Sequence, residues 1–285
     1  MEATLAAPRT SWNASVWSSA AAVLRAAAVG SISGLIAGVV AGGIGGRIAM
    51  RITALTAGSA DQGTITEAEA AVGEITAGGT IFLIIFAGAF AGLFGGMVYA
   101  VMRPWIAAAG PWKGLAFGII LLATMGWSVI ERDNFDFHRF GYASLNIAMF
   151  AALFLLFGLL VAPLYDFFDE RLQPVSLRLG GIAGLAARAF GGLTAAVSVA
   201  ISVSIGGEPL GGVEEMSTAW MPVYLLLAMP LAAAATARAA PRFERMTDLY
   251  RHPAALTIAI VAIAVPIAIG LSLDTRAIIH ILEQA

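Results

Sequence analysis

The sequence predicts an all-α polytopic membrane protein: a bundle of about seven transmembrane helices, N-terminus cytoplasmic and C-terminus extracytoplasmic. Three observations predict it. Of the 285 residues, 59% are hydrophobic and 12% charged, where a soluble domain carries about 25% charged residues; mean hydropathy is +0.86. Several apolar runs reach the ~20 residues with which a helix crosses a bilayer. The basic residues between those runs are unevenly shared, which orients the bundle.

Seven apolar runs supply the helices in order. Helix one covers 26–46 and continues to about 57. Helix two covers 80–102 and ends at Arg103-Pro104-Trp105. Helix three is short, 113–130. Helix four covers 144–165, helix five 179–205, helix six 218–237 and helix seven 254–273. The largest polar segments separating them lie at 58–79, 131–143, 166–178, 206–217 and 238–253. The chain thus divides into a cytoplasmic segment 1–25, a transmembrane domain 26–273 and an extracytoplasmic tail 274–285. Arg25 interrupts the first apolar stretch, which argues against a cleaved signal peptide. Within 64–75, Thr66 and Glu69 have the spacing of a capping box. That segment is either a short external helix or a solvated loop.

With the N-terminus inside, the inner segments hold Arg9, Arg25, Arg103, Lys113, Arg171, Arg178, Arg238, Arg242, Arg245 and Arg251. The outer segments hold only Arg47, Arg51, Arg132, Arg139 and Arg276. Basic residues stay on the cytoplasmic side, so this orientation is the expected one. An odd number of spans then places the C-terminus outside. The sole lysine against fifteen arginines, with much Ala and Gly, points to a bacterial chain in the inner (plasma) membrane.

Glycine recurs at every fourth position: Gly30, Gly34, Gly38, Gly42 and Gly46 in helix one, and Gly88, Gly92 and Gly96 in helix two. Helix five repeats the pattern with Gly180, Gly184 and Gly192, Arg188 filling the missing rung. Four-residue spacing keeps these positions on one helix face. Lipid gives apolar helices no hydrophobic reason to pair, so close approach through small residues drives their packing. Helices one, two and five are expected to cluster, or to offer these faces to a second copy or a partner membrane subunit. Residues 34–46 and 180–192 match at seven of thirteen positions. The match raises a parallel duplication, 26–166 echoed by 179–273.

Arg188 lies about ten residues, or ~15 Å, into helix five. A charge so placed costs ~2.5–3.5 kcal/mol even on the lenient insertion scale. It is either a structural arginine satisfied by carbonyls or an anion site, with Asn146, Thr124, Ser128 and Thr194 as polar neighbours. Arg47 and Arg51 stand one turn apart at the outer end of helix one. Two cations without an acid within a turn suit an anion, either a lipid phosphate or a solute. Residues 131–142 mix Glu131, Asp133, Asp136 and His138 with Arg132, Arg139 and three phenylalanines. Their loose spacing makes an interfacial loop the expectation rather than a metal site; the segment equally suits a cap over a cavity between helices three and four, with Asn146, one turn into helix four, placed to orient it. Pro222, Pro230 and Pro266 are expected to kink helices six and seven. Phe150, Phe154 and Phe157 form a stripe that packs against lipid or core.

The absences exclude more than the motifs include. Without cysteine there are no thiolate metal sites, iron–sulfur clusters or cysteine nucleophiles. Net charge is −2, which gives no footprint for nucleic acid. Lys113 is the only lysine and helix seven has none, so a retinal Schiff base has no place. His138, His252 and His280 fall outside the expected spans, which leaves no intramembrane haem pair. There is no phosphate-binding GxxxxGK[ST] loop. No acid is expected at mid-membrane depth, which counts against proton coupling. No cofactor is expected, and a catalytic role is disfavoured. Two classes remain. One is a transporter- or channel-like protein moving a small solute, possibly an anion, through a cavity near helices one, two and five. The other is a scaffold or assembly subunit packing against partner helices and lipid headgroups.

Overall fold

The computed structural model describes residues 25–66, 71–130, 136–172 and 253–284. Among them, regular structure is helical apart from one isolated antiparallel bridge between Ile65 and Ala71. The long helices are α1 (Arg25–Thr56), α2 (77–106), α3 (Lys113–Met125), α4 (Ala143–Arg171) and α5 (Pro253–Gln284). Helices five and six, with Arg188, Gly180, Gly184, Gly192, Pro222 and Pro230, lie outside the described residues. So does the second half of the expected duplication up to 252.

Three helical stretches are long and apolar enough to cross a membrane: Arg25–Thr56, Ala77–Ser128 and Ala143–Arg171. The second is 52 residues long, more than twice what a bilayer needs. Gly110 divides it. Its φ of 55° is a conformation that a Cβ disfavours, and Pro111 follows. The chain reverses there, so α3 returns beside α2 and the Tyr99 and Phe117 rings meet edge-on at 5.1 Å.

The glycines of α1 face those of α2. A methyl group on Gly34 would lie 2.6 Å from the Gly96 Cα, and one on Gly38 2.6 Å from the Gly92 Cα. One on Gly92 would lie 2.8 Å from the Gly38 Cα. Gly30 meets Gly96, and Gly42 meets Ala87 and Gly88. Gly46 departs from the pattern and meets only the Leu83 side chain, at 3.5 Å. Toward the Gly42 end of this antiparallel contact both helices widen into π turns, Val39–Gly45 in α1 and Ile84–Phe90 in α2, which face each other.

A second close contact had only two rungs in the sequence. Gly114 and Gly118 of α3 lie against Gly158 and Leu155 of α4. Between the two contacts sits the core, with Val29, Tyr99, Met102, Phe117 and Val161 nearly inaccessible. Phe157 of the expected aromatic stripe joins it. The outer faces are apolar too. On α1, Ile36, Val40, Ile44, Ile48 and Ile52 form an exposed four-residue series, and Ile81, Phe82, Ile85 and Phe86 do so on α2. Apolar surface this continuous suits lipid tails and not water, as in an integral membrane protein.

Several edges differ from expectation. α2 begins at Ala77, where Thr76 caps it by accepting the Gly79 N–H at 3.1 Å. It then runs through Pro104 to Ile106, because a proline in the last turn forfeits only one backbone bond. α4 continues to Arg171 and places Asp166 and Asp169 on a helix rather than in a loop. α5 passes position 266 unbroken and continues to Gln284, so residues 274–284 are helical. The described parts of the 64–75 segment, 64–66 and 71–75, are not helical, and Ile65 bridges Ala71; Glu69 lies outside the described residues.

Candidate functional site: an arginine-lined cavity at one end of the bundle

The last turns of α1 carry Arg47 and Arg51 on one face, as their four-residue spacing requires. The chain then folds back over them. Gln62 donates to the Ala54 carbonyl at 2.8 Å, Gly63 N–H to Val72 O at 3.0 Å and Val72 N–H to Thr64 O at 2.9 Å. Val72 is buried with Ala54 and Phe140 beneath this flap. From the other side, α4 presents Asn146, 2% exposed. Its side-chain oxygen accepts from Thr53 Oγ1 and its amide donates to the Phe140 carbonyl, both at 2.7 Å. Asn146 therefore locks α4 to α1, and its side chain already has partners on both ends.

Between these parts lies a cavity of about 300 Å³, at the low end for small-molecule sites. Arg47 and Arg51 of α1 and Asn146 of α4 all line it. Phe137, Phe140 and Phe150 make much of its wall, and Glu74 and Asp136 are also on it. Arg51 donates to the Gly73 carbonyl at 3.1 Å, and Arg47 reaches the Thr76 carbonyl at 3.5 Å. The second contact is at the limit of a hydrogen bond. The buried Arg47 Nε has no acceptor. Among the described residues, neither guanidinium forms an ion pair with a carboxylate. Their forked guanidinium donors match a carboxylate or phosphate.

The opposite end of the bundle holds an ion-pair cluster that the sequence pattern did not reveal. Arg25 of α1 pairs with Asp169 at 2.6 Å. Arg103 of α2 bridges Asp166 at 3.1 Å and Asp169 at 3.4 Å. Lys113 of α3 pairs with Asp166, and Arg103 lies 5.0 Å over the Tyr165 ring. Three cations from three helices thus meet two acids one turn apart on α4. A third feature was also missed. Asp274 of α5, expected in a polar tail, is 7% exposed and packs against Gly126 at the end of α3. It accepts the Trp127 backbone N–H, and its Oδ1 has no partner.

The 131–142 segment is described from Asp136 onward. Asp136–Arg139 form one helical turn, and the His138 and His280 rings meet edge-on at 6.0 Å. Among the described residues, no three His, Asp or Glu side chains gather as a metal site would need. Comparison with protein-family models, curated proteins and solved structures finds no match for this chain.

Proposed function

We propose that the chain is a multi-pass transporter of small anionic solutes, with the Arg47–Arg51 cavity as its outer recognition site. The observation that carries this reading is the pair of guanidiniums on the cavity wall without carboxylate partners among the described residues. Arg188, on the expected fifth helix, serves in this reading as the intramembrane cation that receives the solute. The glycine faces of α1 and α2 close on each other, which weighs against a scaffold that offers those faces to partner helices.

The test is anion uptake into liposomes holding the full-length protein. Losing a hydrogen bond to a charged group costs about 1.5–3 kcal/mol, roughly tenfold or more in affinity. Arg51→Gln is therefore expected to raise the half-saturating anion concentration about tenfold, and Arg188→Ala to abolish uptake. Uptake unchanged in both variants removes the reading.

The proposal includes seven passes through the inner membrane of a bacterium, with the C-terminus outside. The described helices support the parity. Gly114 of α3 lies against Gly158 of α4, and Gly118 against Leu155, so α4 runs antiparallel to α3. Gly270 and Asp274 of α5 lie against Ala123 and Gly126 of α3, so α5 runs parallel to it. The end of α4 and the start of α5 therefore share one end of the bundle, which supports an even number of crossings between them. A reporter enzyme active only outside the cytoplasm, fused after Ala285, is expected to be active. The same reporter silent there, and a cytoplasmic one active, reverses the orientation.

A further inference from the structure

The cavity's wall is more informative than its charge. We propose that its ligand is an anionic amphiphile, a carboxylate on an apolar body with about ten non-hydrogen atoms in all. The inference rests on the reading of the cavity as the solute site and names the class of solute. Three observations lead to it.

First, the space is about 300 Å³, which suits a small organic molecule rather than a lipid with two chains. Second, Phe137, Phe140 and Phe150 line it together with Val72 and Leu83. A small inorganic anion would leave that apolar surface uncovered, whereas a hydrocarbon body gains about 25 cal/mol for each Å² it covers. Third, the Arg47 Nε is buried without an acceptor and its Nη2 reaches a carbonyl only at 3.5 Å. A buried donor left unmet is costly, and a carboxylate oxygen beside Arg47 meets it in the planar geometry guanidinium favours.

The experiment is calorimetric titration of the full-length protein in nanodiscs of zwitterionic lipid, with empty nanodiscs subtracted. The probes are octanoate, octanol, acetate and inorganic phosphate. Octanoate is expected to bind, with the other three roughly tenfold or more weaker. Arg51→Gln and Phe150→Ala are each expected to weaken octanoate about tenfold, while Arg171→Gln, far from the cavity, leaves it unchanged. Phosphate or acetate binding as tightly as octanoate, and depending on Arg51, overturns the amphiphile while the anion site stands. Octanol binding as tightly as octanoate, or octanoate heat unchanged in Arg51→Gln, overturns both. No heat from any anion in the wild type also overturns both.

Discussion

Gly34→Leu is expected to destabilise the bundle more than any other substitution considered. Gly34 has backbone, not side chain, as its neighbour: even a methyl group there would lie 2.6 Å from the Gly96 Cα. Side chains relieve such overlap by changing rotamer, but a helix backbone relieves it only by moving the whole helix. Overpacking in an ordinary core costs about 1–3 kcal/mol. Displacing α1 from α2 also loses the contacts of every other rung. The expected loss therefore exceeds about 3 kcal/mol, a large part of a typical stability of 5–15 kcal/mol. Gly34→Ala is expected to fail in the same direction and to a smaller extent. Gly78→Ala is the control, because nothing lies within 4 Å of a methyl group there. The measurement is the thermal midpoint and monodispersity of the detergent-purified protein. Wild-type behaviour of Gly34→Leu would mean that α1 and α2 do not pack through this face.

Asp166→Lys is expected to have the next largest effect. Asp166 accepts from Arg103 at 3.1 Å and pairs with Lys113. These side chains are between 24% and 38% exposed, so water screens each pair and no single one is worth the value of a buried bridge. Removing the charge with Asp166→Asn is accordingly expected to cost only about 1–2 kcal/mol. Reversing it places a third cation between two others, with Asp169 left to serve them all, and like-charge contacts cost several kcal/mol. The double variant Asp166→Lys with Lys113→Asp restores one pair and is expected to recover part of the loss. Additivity of the two single effects in that double variant would show that the residues do not interact. The readout is again the unfolding midpoint, at low and high salt. The penalty of Asp166→Lys should shrink as salt screens the repulsion.

Features set by local pattern were legible in the sequence. The apolar runs located α1 to α4 and the last helix, and the four-residue glycine spacing picked out the faces on which α1 and α2 meet. Arg47 and Arg51 were readable because a cation pair at helical spacing is itself a local signal. Features made by distant parts of the chain were not legible. Charges usually mark the end of a membrane span, so the pattern ends helix four at 165, just before Asp166 and Asp169. In the fold, cations from three other helices neutralise them, and α4 continues through both. Asp274 was placed in a tail for the same reason, while α3 buries it. The fold of 58–66 and 71–76 depends on bonds such as Gly63 to Val72 that no periodicity encodes. Asn146 takes Thr53 and the Phe140 carbonyl of the 131–142 segment as partners and sits on the cavity wall, while Arg188, its other expected neighbour, lies outside the described residues.

The paired π turns bear on the azimuth of the arginines. Four residues overrun an α turn by ~40°, so a stripe of every fourth residue drifts round the cylinder. From Gly30 to Gly46 the drift would total about 160° and carry the later rungs to the far side. A π turn holds more residues per revolution. The same four-residue step then falls short of a full circle and the stripe swings back. Val39–Gly45 thus acts as a phase corrector, and Gly42 still meets α2 where uniform winding would have turned it away. Arg47 and Arg51 ride on the same shaft beyond the correction. Relaxing that one widened turn to ordinary pitch would rotate both guanidiniums by about one residue's angle, ~100°, out of the cavity and toward lipid. The winding of the helix, as much as its side chains, holds the cations on the cavity wall.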